Sequence, residues 1–259
     1  LDVSKKINDK SRIFYWSKPT EPYLTLLREE NHLLGVVSDC KKDIEKIQRL
    51  CFWVHSLWKH DGFNEPEAPD PISILRAVRE GKRFRCVEYS TVLHGCLNAV
   101  GIPSRIVGLM TADVETRESG AGHIVVEAYL GDCSKWVIVD PQWDMIPIWK
   151  QKPLHALEFR KAIETNRQEI YLLNHSGVNK AKYLDWIFPY LYYLRINTDN
   201  RVGNSDDILQ ADMQRQKSQS LIFVPDGAKQ PTVFQRRYTF ENVSYINDES
   251  EFYLDPVTG

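Results

Sequence analysis

The chain has 259 residues, a hydrophobic fraction of 42%, a charged fraction of 26% and a formal net charge of −2. This is the make-up of a globular protein with a substantial core, either one large domain or a core plus an extension. The small net charge gives no reason to expect nucleic acid or an anionic membrane as partner, and no apolar run approaches the about 18 residues of a membrane span. Residues 1–20 are polar and mixed, with an aromatic patch at Phe14-Tyr15-Trp16. Pro22, followed by Leu24 and Leu27, predicts a helix from Glu21 to Leu34. A longer helix is expected after Asp39, because Ile44, Ile47, Cys51, Val54 and Trp58 recur at helical spacing until Asp61-Gly62. Beyond a Pro- and Glu-rich loop at 63–69, Asp70 is a good N-cap and Pro71 opens a helix over 72–80 that Gly81 ends.

The next helix runs from Cys86 to Val100, with Phe84, Tyr89, Leu93, Leu97 and Val100 marking its apolar side. Gly101 stops it as a left-handed cap and Pro103 keeps it from restarting. Cys86 therefore sits in a first helical turn, where free backbone N–H groups favour an anion and so the thiolate. Lys82, Arg83 and Arg85 push the same way. The plainer reading is an inert buried cysteine beside a solvated basic loop. Residues 102–110 read as a strand, and 111–122 as a polar loop without apolar anchors. Such a loop is mobile and borders a substrate cleft, or simply joins two strands.

His123 opens GHIVVEAYL and Asp140 closes KWVIVD, with Gly131-Asp132 between them as a two-residue hairpin signal. If Leu130 pairs with Cys133, His123 lies directly opposite Asp140, and Ile124, Val126, Ala128, Val137 and Val139 share the other face. A carboxylate opposed to an imidazole is the orienting pair that a cysteine nucleophile needs. The order Cys86…His123…Asp140, with C-x-E-x-S, LNAVGIPSRIVG, GHIVVE and WVIVDP, resembles the transglutaminase-like superfamily over roughly residues 40 to 145. The resemblance implies an α+β, papain-like fold with the catalytic helix packed on an antiparallel β-sheet. It implies Cys86 as nucleophile, His123 as base and Asp140 as orienting acid. Val87-Glu88 stands where animal transglutaminases carry a Trp, so protein cross-linking is not the default activity. No acidic loop matches that family's calcium sites.

An oxyanion needs two donors. The Cys86 N–H is one, and Trp58 is a candidate for the other by resemblance, against the commoner reading of a core Trp. Trp143 is a more distant candidate, and Glu88 either tunes the site or is structural. Arg105 is expected in a structural ion pair, and His94 as a satisfied helix residue. Cys86, Cys133, His123 and Asp140 are zinc ligands by type, yet no paired metal-binding spacing exists, so no metal and no cofactor is expected. Five cysteines, three of them in helical patterns, argue against a disulfide framework and fit a reduced compartment. No signal peptide is visible, although with no Met at position 1 a removed leader stays open. Two N-x-S patterns, at Asn174 and Asn242, read as chance matches.

Beyond Pro153, residues 154–169 and 182–195 read as helices, the second rich in aromatics and ended or kinked by Pro189. Residues 197–205 read as a linker, and SLIFVP, TVFQRRYTF and EFYLD as strands. The expected organisation is an N-terminal lead-in over 1–38, a catalytic core over 39–152, a helical segment over 153–200 and a β-rich extension over 201–259. The expected function is a thiol-dependent amide hydrolase or acyl transferase on protein or peptide substrates. The rival is a non-catalytic interaction module whose partner surface is the aromatic region 183–193 together with the β extension.

Overall fold

The computed structural model describes residues 14–203 and 219–256. The chain enters through β1 (Tyr15–Trp16) and a helical layer of α1 (Pro22–Glu30), α2 (Leu33–Val36), α3 (Asp43–Leu57), α4 (Pro71–Arg79) and α5 (Cys86–Ala99). Strands β2 (Ser104–Met110), β3 (Gly122–Leu130), β4 (Lys135–Val139), β5 (Ile146–Trp149) and β6 (Lys152–Pro153) follow. Next come α6 (Ala156–Asn166), β7 (Tyr171–Leu173), α7 (Lys180–Ile187), β8 (Tyr193–Asn197) and β9 (Asp199–Asn200). The described chain closes with β10 (Ser220–Phe223), β11 (Val233–Phe234), β12 (Tyr238–Thr239), β13 (Val243–Ile246) and α8 (Glu249–Phe252).

The main sheet has the order β13-β10-β8-β2-β3-β4, antiparallel except for the parallel outer pair β10–β13. Helix α5 packs on one face, where Tyr89, Val92, Leu93, Cys96 and Leu97 join Val126, Ala128, Val137 and Val139 in one core. Val107, Leu109, Val125 and Ile138, on the opposite face, pack with Phe159, Tyr183, Leu184 and Ile187. The fold is the expected α+β one. Its sheet draws strands from both sides of the boundaries expected at 152 and 200.

Several elements follow the local chemistry read from the sequence. The Asp70 carboxylate accepts the Ser73 N–H at 3.1 Å and caps α4. Gly101, at φ 84°, closes α5 in the left-handed conformation. The expected helix over 21–34 splits, because His32 adopts φ 50° between α1 and α2.

Other expectations are corrected. The turn between β3 and β4 has four residues rather than two, with Leu130 paired to Lys135 and Ser134 at φ 49°. The aromatic helix stops at Ile187, where Phe188–Tyr190 tightens into a single 3₁₀ turn around Pro189. Residues 193–195, expected as the end of that helix, run instead in β8 between β2 and β10. Asp199-Asn200 of the expected linker pairs with Tyr15-Trp16, and 204–205 lie outside the described residues, as does Ser218. EFYLD begins as helix rather than strand, because Asp248 accepts the Ser250 N–H at 2.8 Å as a cap.

Candidate active site

Helix α5 begins at Cys86, whose N–H occupies a first-turn position with no intrahelical acceptor. The helix start is fixed by Glu88, which accepts the Arg85 N–H at 3.0 Å and pairs with the Arg85 guanidinium at 2.8 Å. Glu88 is 2% exposed and acts as the reciprocal partner of a helix cap, so its role here is structural. The three cations expected to polarise the thiol each face a carboxylate: Lys82 meets Glu67 at 3.4 Å, Arg83 meets Asp61 at 4.0 Å, and Arg85 meets Glu65 and Glu88. Their field at the sulfur is therefore largely cancelled.

His123 and Asp140 are brought together in the buried end of the hairpin. His123 Nε2 donates to Asp140 Oδ2 at 2.8 Å, which leaves Nδ1 for Cys86, and the Cys86 thiol hydrogen-bonds this imidazole. Burial works against charging His123, but the Asp140 charge and hydrogen bond, together with Cys86, outweigh it and push its pKa up to about 10. The carboxylate itself is fully held. Its Oδ1 accepts the N–H groups of Gln142 and Trp143 at 3.1 and 3.3 Å, and its Oδ2 also accepts the Tyr183 hydroxyl at 3.0 Å. Burial raises Tyr183 well above the ordinary phenol value, so it stays a neutral donor.

Sequence reasoning missed this role of Tyr183, which lies on α7 and far from Asp140 along the chain. Trp186, one turn further, sets its ring edge-on to His123 at 4.9 Å, and Tyr190 stands 6.2 Å from the same imidazole. Tyr183, Trp186 and Tyr190 of the aromatic stretch thus wall the His123–Asp140 pair. His60, also missed, lies near enough to His123 that burial and that imidazolium together depress its pKa.

The two tryptophan candidates for the oxyanion part company. The Trp58 indole N–H donates to the Phe84 carbonyl at 3.3 Å, and its ring stacks on Tyr89 at 4.1 Å. It is a satisfied core residue, and its donor is spent. Trp143 packs on Tyr183 and Trp186 at 5.6 and 5.1 Å, on the Asp140 side of the imidazole, and its buried Nε1 has no partner among the described residues.

A cleft of about 750 Å³ opens on Cys86. Its floor includes Gly108 and Gly122, and its far wall is Phe234, Tyr238 and Phe240 around the β11–β12 hairpin. The hairpin is docked: Gln235 N–H donates to the Val114 carbonyl at 2.8 Å and Gln235 Oε1 accepts the Ala121 N–H at 3.0 Å. The loop over 111–121 is not the unanchored segment expected, since Val114 and Ala121 are fully buried with Met110, Tyr193 and Ile222.

The remaining assignments fall into place around this site. Arg105 pairs with Glu127 at 2.7 Å in the interior, the structural ion pair expected of it. His94 meets Ser104 Oγ at 2.9 Å, and burial lowers its pKa to about 4. All five cysteines are free, and Cys133 is exposed in the hairpin turn, remote from the other proposed ligand types. Among the described residues no group of three or more His, Cys, Asp or Glu is arranged to hold a metal, and no helix is long and apolar enough to cross a membrane.

Residues 32–141 match the family model of the transglutaminase-like superfamily, whose members are cysteine proteases or transglutaminases. Among solved structures, one from Cytophaga hutchinsonii described as a cysteine protease is 15% identical, covering 47% of this chain and 39% of its own, with a TM-score of 0.37. Red sea bream transglutaminase is 14% identical over 49% of this chain and 27% of its own, with a TM-score of 0.33. Legionella pneumophila LapG is 12% identical over 62% of this chain and 93% of its own, with a TM-score of 0.34. The chain thus spans under two fifths of the first two. A comparison with curated proteins finds no match.

Proposed function

We propose that the protein breaks or exchanges amide bonds of protein or peptide substrates through a thioester on Cys86, a reading that the match of residues 32–141 to the transglutaminase-like superfamily model supports. The observation that carries this reading is the buried His123–Asp140 hydrogen bond of 2.8 Å, with the Cys86 thiol on the same imidazole. The Cys86 sulfur attacks the amide carbon, and the carbonyl π electrons move to oxygen, which the Cys86 N–H at the start of α5 stabilises. Imidazolium His123 protonates the departing amine as the C–N bond breaks, leaving a thioester. Neutral His123 then takes a proton from the second nucleophile as it attacks the thioester carbon. The C–S bond breaks with its electron pair on sulfur, which releases the acyl group and returns Cys86 as thiolate beside imidazolium His123. Asp140 fixes the tautomer and compensates the imidazolium charge throughout.

Hydrolysis is the first assignment, with water as the second nucleophile. Transfer to an amine shares the same first half and differs only in what reaches the thioester. Tyr183, Trp186 and Tyr190, turned toward His123 and Asp140, favour the catalytic reading over the interaction module.

The test is alkylation by iodoacetamide at about pH 6, followed by peptide mapping. Cys86 is expected to react well ahead of Cys51 and Cys96, whose thiols burial pushes up. His123→Ala is expected to erase that lead. Equal and slow labelling of all five cysteines would sink the reading. Turnover of peptide substrates with and without an amine acceptor then separates hydrolysis from transfer.

A further inference from the structure

Two guanidinium groups line the cleft beside Cys86, and their circumstances differ. Arg85 is neutralised by Glu65 and Glu88. Arg195 has no carboxylate partner among the described residues: one N–H donates to Ser220 Oγ at 3.0 Å, and its carbon Cζ lies 5.3 Å from the centre of the Phe240 ring. It is half-buried, and burial alone depresses its pKa, with no anion offsetting the loss of water. A cation held in this state is costly unless an opposite charge meets it.

The position of Arg195 in the sheet says where such a charge would come from. Arg195 pairs with Gly108, which pairs in turn with Ile124, and both line the cleft with Cys86. A Cβ on Gly108 would stand 3.6 Å from both Arg195 Cβ and Ile124 Cδ1, so the glycine keeps the floor low between the guanidinium and the α5 end of the cleft. Glu241 shares the rim without forming an ion pair with Arg195.

We propose that Arg195 is a specificity residue that binds a carboxylate of the substrate, held near the amide that Cys86 attacks. The inference rests on the acyl-transfer reading of the site and adds to it a substrate class, acidic peptides. A guanidinium suits the task because its planar donors grip a carboxylate through two parallel hydrogen bonds. The carboxylate belongs either to an Asp or Glu side chain or to a chain terminus, and the two sources are separable.

The experiment uses the full chain carrying Cys86→Ala, so that binding is read without turnover. Amidated octapeptides with Glu or Gln at each position in turn, and a Gln peptide with a free C-terminal carboxylate, are titrated by calorimetry. One placement of the carboxylate is expected to bind about ten- to a hundredfold more tightly than its neutral counterpart. Adding Arg195→Gln should remove that preference, and Arg195→Lys should keep part of it, with thermal melts confirming that both variants are folded. A preference for the Glu peptides assigns the side-chain source, and a preference for the free terminus assigns the other. Equal binding of Glu and Gln peptides, a preference that survives Arg195→Gln, or no binding of any acidic peptide at millimolar concentration overturns the proposal. Should the acyl-transfer reading fail instead, Cys86 of the unaltered chain would prove inert while the acidic preference remained.

Discussion

Asp140 receives the His123 N–H, the Tyr183 hydroxyl and two backbone N–H groups, which fixes both its place and its charge. The raised pKa of His123 follows largely from that charge. In the proposed cycle the imidazolium is the competent form, since it must protonate the leaving amine. Activity should therefore persist through neutral and mildly alkaline pH and fall as pH rises through about 10. In Asp140→Asn the attraction is lost, so this alkaline limb should move to lower pH, with kcat reduced by about 10²–10⁴-fold. A pH profile of kcat/KM on both proteins checks the sign, and an unmoved limb would remove Asp140 from the mechanism. At this scale the meeting of Cys86, His123 and Asp140 was legible, because each sits at a helix or strand end that local chemistry marks. Tyr183 was not, as nothing in its own neighbourhood points at Asp140. Trp58 shows the converse limit: its helical spacing announces burial but says nothing of which acceptor its N–H meets, here the Phe84 carbonyl.

Among the elements, the β3–β4 hairpin shows what alternation determines. Val126 pairs with Val139 and Ala128 with Val137, so the side chains kept the faces expected of them although the pairing slid along by two residues. A slip of two preserves every side chain's face, and both faces are buried here, so apolar patterning alone cannot choose between the two registers. The consequence for the site is that His123 reaches Asp140 diagonally, just past the last pair of β4. Helix α7 was overextended for a related reason. Tyr192 and Tyr193 fit a helical stripe as well as a strand, and only the sheet, with a place between β2 and β10, decides between them. The wall of the cleft gives a test of its own. A Cβ on Gly122 would stand 2.9 Å from the Phe234 ring, so Gly122→Ala should push the β11–β12 hairpin off its seat. Peptide turnover is expected to fall several-fold through KM while iodoacetamide labelling of Cys86 is unchanged. Phe234→Ala should restore part of the loss, and a normal KM in the single variant would show that this wall does not touch substrate.

For the molecule as a whole, the largest buried commitment outside the site is Arg105. It is 1% exposed, pairs with Glu127 at 2.7 Å and donates to the Phe252 carbonyl at 2.9 Å, with its guanidinium 4.5 Å from the Trp136 ring centre. Glu127 in turn accepts the Ala156 N–H and the Tyr253 hydroxyl, each at 2.9 Å, so one ion pair fastens the starts of α6 and of the final segment to the sheet. Arg105→Met leaves Glu127 charged and dry, and should cost about 3–5 kcal/mol in urea unfolding. A loss below 1 kcal/mol would show that Glu127 finds water or another cation. The resemblance read from the sequence stopped near residue 145, yet β8, β10 and β13 complete the same sheet. No motif announced this, because strand partners far apart in the chain leave no short-range pattern. There is a consequence for biosynthesis. Until residues 193–246 have been made, the nascent chain carries Cys86, His123 and Asp140 but lacks Arg195 and the far bank of its groove, so the arrangement proposed to meet substrate is still incomplete.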